Sequence, residues 1–148
     1  MNLPIVSAHD RRLEIQERAA SFGIDNAYIS NLVNAFYLRV RAHPTLGPIF
    51  DDVIGEDWDS HLPRMKRFWE SVALNAGTYS GKPVPAHKKL TAVEPAHFKI
   101  WLALFRETLE ETAPSHEAIV YFMERAERIA ESLQLAMFGF PGLPVKRL

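Results

Sequence analysis

Apolar residues recur at helical spacing along most of this chain, and the strict alternation of a half-buried strand is nearly absent. That pattern predicts an all-α fold. The first clear helix follows Asp25, a side chain suited to an N-cap, and runs to about Ala42 before Pro44 stops it. Its inner stripe is Ile29, Val33, Phe36, Tyr37 and Val40. A short segment from Pro44 to Phe50 carries Leu46-Gly47-Pro48 and reads as turn-like. The next helix begins between Asp57 and Ser60 and ends near Leu74, with His61, Met65, Phe68, Trp69 and Val72 sharing one face. Its start decides what Pro63 does. With Ser60 as cap the proline falls in the first turn, whereas with Asp57 as cap it is interior and bends the helix just past His61.

Residues 75 to 92 hold Gly77, Gly81, Pro83 and Pro85 and predict a loop with at most a short helical turn around His87. Loops of this length are usually functional or disordered, and Tyr79, Val84 and Leu90 argue against disorder. A strong helix is expected from Pro95 to Ala113, with Phe98, Trp101, Leu102, Phe105 and Leu109 inward. The last runs from Ser115 to Phe138 with Ile119, Met123, Ala126, Ala130, Leu133 and Met137 inward. A weaker helix is expected near Arg11 to Ala20. The organisation so read is a partly helical extension over residues 1–24, one helical domain over 25–138 and a tail over 139–148.

At 148 residues the chain can bury a substantial single core. It has no cysteine, which excludes disulfides, zinc–thiolate sites, iron–sulfur clusters, thiol catalysis and a thioether-attached haem. With 17 Lys+Arg against 18 Asp+Glu, it gives no electrostatic reason to bind nucleic acid or an anionic membrane. Residues 1–14 lack a long apolar run, so neither a signal peptide nor a membrane span is expected there, and a cytoplasmic location is.

The inner stripes carry many large rings, among them Phe36, Tyr37, Phe68, Trp69, Trp101 and Phe105. Such rings more often pack a core than line a cofactor pocket, so on composition alone the core reading leads. Of six histidines, His9, His43 and His116 are expected to be exposed and structural. Glu94-x-x-His97 matches half of a carboxylate di-metal motif, but no second copy exists and the match reads as chance. His61 stands out on its apolar face, and His87 stands out in its loop without an evident packing role. Imidazole is a standard axial ligand of haem iron. Tyr37 and Trp101 add a hydroxyl and an indole N–H that need acceptors if buried.

The following pieces occur in this order: Phe36-Tyr37, Leu46-Gly47-Pro48-Ile49-Phe50, Trp58-x-x-His61, Phe68-Trp69, Tyr79-x-Gly81-x-Pro83-x-x-x-His87 and His97-Phe98-x-x-Trp101-Leu102-x-Leu104-Phe105. As a series, over about Ile29 to Phe138, they resemble the group III truncated haemoglobins. The resemblance implies a two-over-two helical sandwich around a non-covalent haem b (iron protoporphyrin IX). It implies His87 as the proximal iron ligand, Tyr37, His61 and Trp101 as the distal set, and Phe50 packing on the haem face. Met65, one turn after His61, is expected to border the ligand site, and Phe68 to contribute to the haem pocket. The expected function is reversible binding of dioxygen, carbon monoxide or nitric oxide, as in oxygen transport, with an unidentified reductase as partner. A haem enzyme with peroxidase-like or nitric-oxide-detoxifying activity is the alternative from the same pocket. A haem-free helical sensor or adaptor is disfavoured by His87.

Overall fold

The computed structural model describes residues 7–75, 87 and 92–139. Most of the loop expected over 75–92, and the tail beyond Gly139, lie outside the described residues. Among the described residues the regular structure is helical throughout: α1 (Ala8–Ser21), α2 (Asn26–Ala42), α3 (Leu46–Ile54), α4 (Trp58–Leu74), α5 (Pro95–Thr112) and α6 (His116–Phe138).

The helix starts follow from local chemistry. Asp25 accepts the Tyr28 N–H at 2.8 Å and Ser115 accepts the Ala118 N–H at 3.1 Å, each satisfying an orphan donor of a first turn. Pro95 opens α5, where a missing N–H costs nothing. The N-terminal helix is longer than its weak periodicity suggested, spanning Ala8–Ser21. It is tied to α4 by Gln16, whose amide donates to the Leu74 carbonyl at 3.1 Å.

The expected turn over Pro44–Phe50 is corrected: Leu46–Ile54 is a helix. Pro48 falls in its first turn, where the ring is tolerated, and Gly47 is buried against α2. A Cβ on Gly47 would stand 2.5 Å from the Arg41 carbonyl oxygen, so the glycine marks a close approach of two backbones rather than a turn. His43 is likewise half-buried rather than exposed. Its Nδ1 accepts the N–H groups of Thr45 and Leu46 at 3.1 and 3.3 Å and thereby starts α3. Gly55 ends that helix at a positive φ of 59°.

Asp57 occupies the cap position of α4, so Pro63 is interior and the Asp59 carbonyl has no i+4 donor. Helices α2 and α4 form one pair and α5 and α6 the other, with α2 packed on α5 and α4 on α6. This is a two-over-two sandwich. The main core joins α2, α4, α5 and α6, and it buries Tyr121 and Phe122 as well as the expected Met123 and Ala126. A smaller cluster centres on Phe98, Ala130 and Leu133.

Candidate functional site

The two hydrophobic clusters part around a cavity of about 380 Å³, and both contribute to its wall. Tyr37 enters from α2 and Phe50 from α3. His61, Met65 and Phe68 come from successive turns of α4, and Trp101 from α5. His87, itself in helical conformation and half-buried, lines the same space. The seven residues singled out in the sequence therefore border one cavity. The α4 stripe is mostly half-buried rather than fully buried because that face looks into the cavity instead of into packed side chains.

The rings are held in two arrays. Trp101 stacks on Phe105 at 5.5 Å and 2°, and Phe105 stacks on Trp69 at 4.9 Å and 17°. Phe36 stands perpendicular to both Trp101 and Phe105, at 90° and 87°. This lattice fixes the Trp101 indole. The second array is Tyr37, Trp58 and His61, whose centroids lie 5.5 to 5.8 Å apart.

His61 Nε2 is buried and has no hydrogen-bond partner among the described residues. A buried polar atom left without a partner is costly, and its usual justification is a group that enters the site. Burial holds the His61 imidazole below its ordinary pKa of 6.5, the nearby Arg64 guanidinium adds to this, and Asp57 opposes it. The ring is therefore neutral at neutral pH.

Several lining residues were not singled out by sequence. Arg64 and Asp57 place one charge of each sign at the cavity, flanking His61 on α4, and their spacing was the available signal. His97 also lines it. Its Nδ1 accepts the Glu94 N–H at 3.0 Å, so Glu94-x-x-His97 is a helix capping box, consistent with a chance likeness to a di-metal motif. Among the described residues no group of three or more His, Asp or Glu could hold a metal ion.

A haem fits what is present. A largely apolar, aromatic wall suits the porphyrin, the imidazoles of His61, His87 and His97 reach the same cavity, and that of His61 carries an unpartnered nitrogen. An all-α sandwich of two helix pairs around such a cavity defines a small globin. No family model matches the chain. It is 34% identical over 122 residues to the group 3 truncated hemoglobin ctb of Campylobacter jejuni, covering 80% of this chain and 95% of that protein. It also matches the crystal structure of the group III truncated hemoglobin from Campylobacter jejuni with a TM-score of 0.75 and 32% identity, over 81% of this chain and 96% of that one. The chain belongs to the group III truncated haemoglobins.

Proposed function

We propose that the protein holds haem b without a covalent bond, with His87 as the iron ligand, and that it reversibly binds dioxygen or another diatomic gas. The haem supplies an iron centre with a position open to such a gas; everything else is done by the chain. The lack of cysteine rules out thioether attachment, so retention rests on the His87 nitrogen and on apolar packing by Phe50, Met65 and Phe68. His61, Tyr37 and Trp101 are polar members of the wall, beside Asp57, Arg64 and His97. Tyr37 and Trp101 offer an O–H and an N–H to a partly negative ligand, while the neutral His61 ring adds a nitrogen without a charge.

The observation that carries this reading is the buried, unpartnered Nε2 of His61 in a cavity that His87 also lines. Absorption spectra of the purified protein in ferric, ferrous and carbon monoxide forms test it. A haem spectrum that converts cleanly between the three forms is expected, and a chain that takes up no haem would defeat it. No helix among the described residues is long and apolar enough to cross a membrane.

A further inference from the structure

Trp58 does not line the cavity, yet it touches two of the polar residues that do. Its ring lies 5.8 Å from Tyr37 at 62° and 5.5 Å from His61 at 87°, and Tyr37 and His61 meet at 5.6 Å and 89°. The three rings stand edge to face in pairs, like the sides of a box corner. Trp58 is 6% exposed and is itself fastened from the far side. Its indole N–H donates to Asp51 Oδ1 at 3.2 Å, and the Arg41 guanidinium lies 4.5 Å over its ring. Arg41 Nε stands 4.0 Å from the same Asp51 oxygen. On α2, Tyr37 and Arg41 are one turn apart, and on α4 Trp58 and His61 are three residues apart, so each pair shares a face.

His61 Nε2 has no hydrogen-bond partner among the described residues, and the ring is held edge to face by Tyr37 and Trp58. We infer that Trp58 is a positioning residue for the ligand side of the cavity: anchored by Asp51 and Arg41, it sets the tilt of His61 and Tyr37 from behind. Asp51 and Arg41 are both exposed, so a polar anchor on the surface controls an orientation inside the site. The inference builds on the haem reading for its consequence, but the ring geometry stands without it.

Asp51→Ala removes the acceptor from an exposed position with little risk to folding, while Asp51→Asn keeps an acceptor oxygen. Trp58→Phe is the second variant, retaining a ring but no donor. Two readouts on the full-length protein separate the possible failures. The first, needing no haem, is the NMR position of the His61 ring protons, which should move in Asp51→Ala and Trp58→Phe and return in Asp51→Asn. The second is oxygen release from the haem-loaded protein, which should quicken roughly three- to tenfold in the same two variants, as for one weakened hydrogen bond. Neither variant should change release further in a Tyr37→Phe/His61→Leu background, because an effect acting through a partner vanishes with it. Unmoved His61 resonances, or full additivity in that background, would overturn the inference; moved resonances in a protein that proves unable to take up haem would uphold it while sinking the haem reading.

Discussion

The Tyr37 and His61 rings meet edge to face at 5.6 Å and 89°, bringing a phenol from α2 and an imidazole from α4 to one end of the same cavity wall. Two helices that belong to one layer of the sandwich thus deliver adjacent polar groups to a single site. The ring contact couples their orientations, which gives the variants below their meaning.

His61 titrates below 6.5 in the folded chain because burial disfavours its charged form, an effect that Arg64 reinforces. Protonation therefore favours the unfolded state. The stability that this group contributes is complete above about pH 6.5, its unfolded value, and is lost as pH falls through the folded pKa. Thermal unfolding of the wild-type protein and of His61→Leu across pH 7.5 to about 5 should show a shallower loss in the variant. Parallel curves would mean that His61 is not buried as described.

Tyr37→Phe removes one hydroxyl at nearly constant packing, whereas Trp101→Phe also opens space beside Phe105. Both variants should release oxygen faster, by about two- to tenfold for one lost hydrogen bond, with a much smaller effect on carbon monoxide. Flash photolysis of the two ligands measures this. Equal changes for both gases would assign the residues a steric part only.

Gly47→Ala places a methyl group 2.5 Å from the Arg41 carbonyl oxygen, a backbone atom that cannot swing away. Helix α3 must then shift from α2, and a destabilisation of about 1–3 kcal/mol is expected from overpacking. Denaturant unfolding measures it, and a loss below about 0.5 kcal/mol would show that the helices can separate freely.

Ser115→Ala removes a side chain that accepts the Ala118 N–H and donates to the Phe22 carbonyl at 2.7 Å, joining the start of α6 to the end of α1. A loss of about 1–2 kcal/mol is expected from the cap and the part-buried carbonyl left without its donor. Threonine at this position should restore most of it.

Helices α2, α5 and α6 were legible because caps and apolar spacing agreed at Asp25, Pro95 and Ser115. Helix α3 was hidden because Gly47-Pro48 is equally good turn chemistry, and only the approach of α2 shows why glycine is there. Tyr121 and Phe122 were missed because a helix enclosed on several sides buries more than one stripe. Tyr121 is buried with its hydroxyl on the Ala73 carbonyl at 2.7 Å. The ordered motifs located the cavity residues, but Arg64, His97 and the support from Trp58 depend on how helices meet, which no single helix encodes.

The central claim is that His87 holds the iron, and the absorption spectrum of His87→Gly tests it most directly. The variant should lose haem, or keep it only when imidazole is added, while His61→Ala retains a full complement. A His87→Gly protein with an unaltered haem spectrum and no added imidazole would contradict the account, and loss of haem from His61→Ala instead would exchange the two roles.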